Sequence, residues 1–375
     1  MKVLYTGTLA TTAGGPAMST YLTLLGLRRL GIDAEIIQYP LSENDFLKGN
    51  EVPIHYTDSP WESKFGYEPK YKSGILKLGV YDIYHAQGIW QWNTYALIDA
   101  AKILKKPYII TPRGMLYPQD IMKSNCLLKK ISLKLRLLRN FNRAACVHVT
   151  CMDELRHCRD LGITAPIAVI PNPVEIKEYS FIKKKDRFRI GYLGRISRRK
   201  NIHGLIQAFL DLKEEVKDAE LLIIGGGDKE YAEELYKLAR RVEYGSVRFA
   251  GFLNGKEKDR ALASCSILVM PSEFENLGNV ILEGLVRQIP CIATYGSPWE
   301  ELNTQQCGWW IPYNQMALTN TISTALKTSN IILEEMGRRG RKMVEEYYSV
   351  ETISAKMELL YQWILKEREK PEFVY

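Results

Sequence analysis

Short apolar runs alternate with stretches of helical periodicity along almost the whole chain, and this alternation limits the fold more than any other feature. The apolar runs fall near 2–6, 34–38, 82–85, 107–111, 145–149 and 167–170, then near 188–193, 220–224, 246–250, 266–270, 289–293 and 308–311. Helical patterns lie between most of them, as in 17–31, 201–215, 229–241 and 279–287. Strand, helix, strand in alternation implies α/β architecture, with parallel sheets covered by helices on both faces. The rhythm stops at Pro171-Asn172-Pro173, which breaks any regular element. It resumes after the hydrophilic run Lys183-Lys184-Lys185-Asp186-Arg187. At roughly 100–200 residues per domain, the 375 residues divide into two domains, 1–175 and 188–351, with a linker at 176–187. A last helix at about 352–368 carries Ile353, Met357, Leu360, Tyr361 and Ile364 at helical spacing and needs a surface on which to bury them.

The bulk numbers exclude more than they select. The net charge of +8 favours anionic partners, whether nucleic acid, phosphorylated ligands or acidic membranes, without choosing among them. Seven cysteines, an odd number with no Cys-x-x-Cys, read as reduced thiols in a reducing compartment. Met1-Lys2-Val3-Leu4-Tyr5 has no signal-peptide character, and no apolar run approaches the ~18 residues of a membrane span. A cytoplasmic protein is expected, with peripheral contact at a membrane face left open.

The most informative segment is Pro271-Ser272-Glu273-Phe274-Glu275-Asn276-Leu277-Gly278-Asn279-Val280-Ile281-Leu282-Glu283-Gly284, which leaves the apolar run Ile267–Met270. Backbone N–H groups at the helix start near Asn279 are unpaired and suit an anion. Glu275 stands before that cradle and Glu283 one turn beyond Asn279, where carboxylates can accept paired sugar hydroxyls. Alone, each glutamate reads as an ordinary surface charge. A second segment, Gly191-Tyr192-Leu193-Gly194-Arg195-Ile196-Ser197-Arg198-Arg199-Lys200-Asn201, sets Arg195 and Lys200 across a short loop, a fork and a point charge suited to a diphosphate. Arg198 and Arg199 fit a solvated basic turn. A third loop, Thr12-Ala13-Gly14-Gly15-Pro16-Ala17, follows a strand and precedes a helix, where glycine lets backbone approach a phosphate. It lacks the Gly-x-Gly-x-x-Gly spacing of a nicotinamide site.

In combination these segments resemble the family-four retaining glycosyltransferases of the GT-B fold. The resemblance rests on two glutamates separated by seven residues after a Pro-Ser strand end, on the Gly-Arg…Lys loop, on the Gly-Gly loop and on Pro-Asn-Pro-Val before the linker. It implies two Rossmann-like domains whose parallel sheets face a central cleft, acceptor-binding first and donor-binding second, with the last helix crossing back onto the first. It assigns Glu275 to the donor sugar, Glu283 to the ribose, and Arg195 and Lys200 to the diphosphate. Asn276, Leu277, Gly278 and Asn279 form the backbone cradle, where the family usually has Gly-Phe-Gly after the first glutamate. Gly14 and Gly15 match the family's loop over donor and acceptor. Gly225 and Phe252, at strand ends rich in glycine, match its base-binding walls, although glycines that merely end strands explain them equally well. Strand ends at His85 and Arg113 point toward the same place, with Arg113 standing where the family often has a histidine that contacts the transferred sugar. The implied reaction is sugar transfer from a nucleotide-diphosphate sugar to a glycan or lipid-linked acceptor, with no metal, no cofactor and no nucleic-acid partner, in bacterial-type surface polysaccharide synthesis. A nucleotide-sugar epimerase of the same fold and a silent nucleotide-sugar-binding module are the alternatives.

Two further features stand outside that pattern. Cys146, His148, Cys151, His157 and Cys158 cluster in sequence, but their spacing fits no standard zinc framework. Residues 121–143 hold Lys123, Lys129, Lys130, Lys134, Arg136, Arg139 and Arg143 interleaved with leucines and isoleucines and no acidic residue. Such a stretch suits an anionic membrane face, and equally a solvated helix packed on its domain.

Overall fold

The two runs of apolar segments form two all-parallel sheets. The computed structural model describes residues 1–41, 51–62, 65–122, 125–177, 179 and 187–375. Lys123 and Lys183 to Asp186 therefore lie outside the described residues. The chain divides into two units, Met1–Glu175 with Ser349–Tyr375, and Ile176–Tyr348.

In the first unit the strands are β1 (Lys2–Thr6), β2 (Asp33–Gln38), β3 (Ile54–Tyr56), β4 (Ile83–Gln87), β5 (Tyr108–Thr111), β6 (Cys146–Val149) and β7 (Ile167–Val169), in the spatial order β3-β2-β1-β4-β5-β6-β7. β3 is a strand that the hydropathy pattern did not reveal. It is three residues long, on the sheet edge and partly exposed, so it never needed an apolar run. Successive side chains of a strand point to opposite faces. Val3 and Tyr5 face one core with Ile83, Ile109 and Cys146, while Leu4 faces another with Tyr84, Ile110 and Val147. Helices Gly15–Arg29 and Val350–Ile364 cover the first face, and Val350, Ile353, Met357, Leu360 and Tyr361 are buried there. The two helices touch so closely that a Cβ built on Gly26 would stand 1.9 Å from Ser354 Oγ and 2.7 Å from Val350 Cγ1. Beyond the helix, Tyr375 and Phe373 pair with β7, the amide of Ile167 donating to Tyr375 O at 3.0 Å.

A line of buried polar groups crosses that same face. Tyr5 OH meets Tyr361 OH, which lies 2.9 Å from His85 Nδ1; His85 Nε2 lies 2.7 Å from Thr111 Oγ1, which lies 3.1 Å from His148 Nδ1, and His148 Nε2 lies 2.8 Å from Ile170 O. The carbonyl of Ile170 can only accept, so His148 carries its proton on Nε2 and accepts from Thr111 at Nδ1. The single Thr111 hydroxyl proton is then used, so His85 must donate from Nε2 and accept from Tyr361 at Nδ1. Every proton in the chain is fixed by its neighbour, provided that both imidazoles are neutral. Burial depresses both, His85 well below the usual histidine range and His148 to about 3.

In the second unit the strands are β8 (Phe188–Leu193), β9 (Ala219–Ile224), β10 (Ser246–Gly251), β11 (Ile267–Met270), β12 (Cys291–Thr294) and β13 (Gly308–Ile311), in the order β10-β9-β8-β11-β12-β13. In both sheets the order reverses beside the first strand, between β1 and β4 and between β8 and β11. At such a switch point the loops leaving the two carboxyl ends diverge and open a crevice for ligand.

Two outcomes follow from the packing of the first unit. Gly26→Ala should destabilise the protein by about 1–3 kcal/mol, the usual cost of overpacking, seen as a lowered denaturation midpoint; an unchanged midpoint would show that the helices part freely. The histidine chain sets a pH dependence. The folded imidazoles resist protonation while unfolded ones titrate near about 6.5, so the unfolded state binds more protons as the pH falls below that value. Stability should drop from about pH 6.5 toward the folded values, by up to about 1.4 kcal/mol per pH unit for each histidine. His85→Gln/His148→Gln should be less stable at pH 7 but should show a shallower loss between pH 7 and 5 in thermal unfolding. Parallel slopes would mean that the histidines are not neutral in the fold.

Candidate active site

The loops at the second unit's switch point are the two segments richest in chemistry. Gly194–Lys200 leaves β8 and Pro271–Gly278 leaves β11. Their ends are tied together. Lys200 Nζ pairs with Glu275 Oε1, and the amide of Glu273 donates to Arg199 O at 3.0 Å. Ser272 Oγ donates to the same Glu275 oxygen at 2.8 Å, and the Glu275 amide donates to Gly296 O at 2.7 Å. Glu275 is only 9% exposed, a position in which a carboxylate needs such partners. The carboxylate is thus held by a cation and a hydroxyl.

The beginning of the first loop is fixed by backbone contact. Gly194 N donates to Ile224 O at 3.0 Å, Ile196 N to Gly226 O at 2.9 Å, and Gly225 N to Gly251 O at 2.8 Å. A Cβ at Gly225 would fall 1.8 Å from Gly194 O, so only glycine permits this approach. The Tyr192 hydroxyl donates to Arg195 O at 3.0 Å. This leaves the Arg195 side chain exposed, with no ion pair or hydrogen bond among the described residues. Arg198 is committed elsewhere, to Glu234 at 2.5 Å. Phe252 follows β10 beside these glycines and is 67% exposed.

The second loop enters helix Asn279–Leu285 through Gly278, whose φ of 75° and contact with Met270 exclude a side chain. Asn276 and Leu277 precede it. Leu277 is buried, and its carbonyl accepts from the Trp299 indole. Glu283 is partly buried and pairs with Lys258 Nζ at 2.7 Å, while Arg287 Nη1 donates to Glu283 O at 2.7 Å. Lys258, on helix Gly255–Ala263, was not singled out from the sequence, where a lysine in Lys-Glu-Lys-Asp-Arg is indistinguishable from a solvated charge.

In the first unit, Gly14 (φ 67°) caps helix Gly15–Arg29, and Arg113 reaches that helix's early turns. Its Nε donates to Gln87 Oε1 at 2.8 Å, Nη1 to Ser19 Oγ at 3.0 Å and to Asn172 Oδ1, and Nη2 to Thr20 Oγ1 at 3.2 Å. All four acceptors are neutral. Burial lowers its pKa to about 10, against the opposing pull of Glu154. Glu154 itself is buried and accepts from the amides of Gly114 and Thr150, which anchors the left-handed turn at Arg113. Gln87, Asn172 and Glu154 are the positioning groups that the sequence did not disclose; Asn172 stood only as part of a chain break.

His85 is placed otherwise than a sugar contact requires. It is 0% exposed, and both ring nitrogens are engaged within the buried chain of Tyr361 and Thr111. The expectation that it touches the acceptor or sugar is corrected accordingly: its strand end is covered by helix Val350–Ile364. His148 belongs to the same chain. Among the described residues no three His, Cys, Asp or Glu side chains converge where they could hold a metal.

Residues 175–343 match the family of glycosyl transferases group 1, and residues 14–173 match the glycosyl transferase 4-like domain. The uncharacterized glycosyltransferase MJ1607 of Methanocaldococcus jannaschii is 26% identical over 91% of this chain and 92% of its own. The capsular polysaccharide biosynthesis glycosyltransferase CapM of Staphylococcus aureus is 26% identical over 53% of this chain and 51% of its own. Among solved structures, Anabaena Alr3699/HepE in complex with UDP-glucose superposes with a TM-score of 0.74 at 18% identity, covering 98% of this chain and 100% of that one. With each unit matched by its own glycosyltransferase domain and with the two parallel sheets that those proteins share, the chain belongs to the family-four glycosyltransferases of the GT-B fold.

Proposed function

We propose that this glycosyltransferase moves a sugar from a nucleoside-diphosphate sugar to a glycan or lipid-linked acceptor, with retention at the anomeric carbon and without a metal, in surface polysaccharide synthesis. The observation that carries the reading is the pairing of Lys200 with Glu275 across the second unit's switch point, which puts a cation and a sugar-binding carboxylate on adjoining loops. The UDP-glucose held by the HepE structure supports the donor class, and the name of the CapM relative supports the polysaccharide setting.

In this reading Glu275 accepts the hydroxyls of the donor sugar and Glu283 those of the ribose. Gly225 and Phe252 border the base, and the backbone from Asn276 to Asn279 faces the phosphates. Departure of the diphosphate builds negative charge on its oxygens, which Arg195 and Lys200 stabilise. Lys200 has three donors, so it can hold Glu275 and a phosphate oxygen at once. The bond from the anomeric carbon to phosphate oxygen breaks, the bond to the acceptor oxygen forms on the same face, and the acceptor's proton passes to the departing phosphate. Gly14 and Gly15 belong to the loop that serves donor and acceptor, and Arg113 supplies a fixed cation for the acceptor or the transferred sugar.

The test is turnover with a panel of nucleoside-diphosphate sugars, beginning with UDP-glucose, and glycan acceptors. Nucleoside diphosphate should appear only when acceptor is present, and turnover should persist in EDTA. Arg195→Ala should lower kcat at least about a hundredfold, the effect of removing one preorganised stabiliser, and Arg195→Lys should restore only part of it. A new free nucleotide sugar formed without acceptor would instead identify an epimerase, and near-native kcat in Arg195→Ala would remove the proposed mechanism. Separately, Glu283→Ala should weaken nucleoside diphosphate binding by about 1–3 kcal/mol in calorimetry; an unchanged affinity would take Glu283 out of the ribose role.

A further inference from the structure

The basic segment of the first unit has two apolar faces, and only one of them is used by the fold. Residues 126–142 run as helix Cys126–Ser132, a π-wound turn Leu133–Leu137 and helix Leu138–Asn142. Leu133, Leu137 and Phe141 enter the core of the unit. On the outer side Leu127 is 71% exposed, Leu128 66%, Ile131 44% and Leu135 76%. The inner row and, on the outer side, Leu127, Ile131 and Leu135 recur at every fourth residue, with Leu128 beside them. Such a row drifts around an α-helix, which turns once in about 3.6 residues, and the wider π-turn at Leu133–Leu137 takes up part of that drift. The outer leucines therefore stay in one stripe over two turns. Single exposed leucines are ordinary on protein surfaces, but a contiguous apolar stripe of this kind marks a contact surface.

The charges beside the stripe specify the contact. Lys130 and Lys134 lie on one flank and Arg139 on the other, all exposed and none in an ion pair among the described residues. Arg136 and Lys129 are engaged by the protein instead, Arg136 by Asp99 at 2.7 Å and Lys129 by the Asp120 carbonyl. Residues 126–143 contain no Asp or Glu. A second copy of this chain would bring the same cations against these and would be repelled. A bilayer with anionic headgroups satisfies both the leucines, which enter the acyl boundary, and the lysines, which stay at headgroup level. No helix among the described residues is long and apolar enough to cross a membrane, so the contact is with the surface of the bilayer.

We propose that residues 126–139 form a docking surface for anionic lipid bilayers, inserting Leu127, Leu128, Ile131 and Leu135 between headgroups held by Lys130, Lys134 and Arg139. The inference stands independently of the reaction assigned above. Co-sedimentation of the full chain with vesicles tests it, using phosphatidylcholine alone and phosphatidylcholine with roughly a third phosphatidylglycerol. Wild type should partition to the anionic vesicles at least about tenfold more strongly than to neutral ones. Leu127→Ser/Leu128→Ser/Leu135→Ser and Lys130→Glu/Lys134→Glu should each lose at least about tenfold of that binding. Both variants should keep the wild-type unfolding midpoint, since the altered side chains are exposed. Wild type left in the supernatant, or either variant binding as wild type does, would overturn the proposal. So would a dimer seen by light scattering that the leucine variant dissolves.

Discussion

The arrangement at the second unit's switch point depends on one ion pair, Lys200 with Glu275. The two residues lie in loops that leave different strands, Lys200 in the short 3-10 turn Arg198–Lys200 and Glu275 in the irregular stretch before helix Asn279–Leu285. A carboxylate as enclosed as Glu275 is costly without a partner, and Lys200 and Ser272 both supply one, at the same oxygen. The same pairing holds the loop from β8 against the loop from β11, reinforced by the Glu273 amide on Arg199 O. One interaction thus sets both the orientation of the carboxylate and the position of the cation. That coupling makes the two sequence segments a single site.

The first unit shows a different use of buried polarity. Its histidines do no chemistry at a surface; they join β1, β4, β5 and β6 to the last helix through hydrogen bonds whose directions are all determined. Such a chain tolerates no missing or additional proton, which makes it a means of registering helix Val350–Ile364 on the sheet more specifically than leucine packing alone. Arg113 lies beyond the end of β5, two residues after Thr111, and so inherits its position from that chain. Its guanidinium is then fixed by Gln87, Ser19, Thr20 and Asn172 rather than by an acid.

Much of this was legible in the sequence, because its causes are local. Strands buried on both faces read as apolar runs, which is why most of the strand positions can be read directly, and the loops at their carboxyl ends carry residue types with little structural reason to be there. What was not legible depends on residues distant in sequence. β3 is an edge strand and has no apolar signature. His85 at a strand end looks like a ligand contact until Tyr361, 276 residues away, is seen to cover it. Lys258 and Glu154 look like helix-surface charges until Glu283 and the Gly114 amide are found against them. Spacing along a chain indicates which side chains share a loop or a helix face; it does not indicate which of them another element has already occupied.

Occupancy also divides the site's charged groups in a way that bears on the chemistry. Lys200, Glu275 and Glu283 have partners in the free protein, so their rotamers are set in advance and little side-chain entropy remains to be lost when a ligand arrives. Each can share rather than surrender its partner, since an ammonium has three donors and a carboxylate several acceptor positions. Arg195 is the contrast: its backbone is fixed through Tyr192, while its side chain is exposed and makes no ion pair among the described residues. A group with nothing to give up gains the most where new charge develops, and a fork suits paired phosphate oxygens better than a point charge does. In the proposed reaction Glu275 and Glu283 would therefore serve binding and orientation, Lys200 would share its donors between Glu275 and the phosphate, and the uncommitted Arg195 would gain most as the leaving group departs.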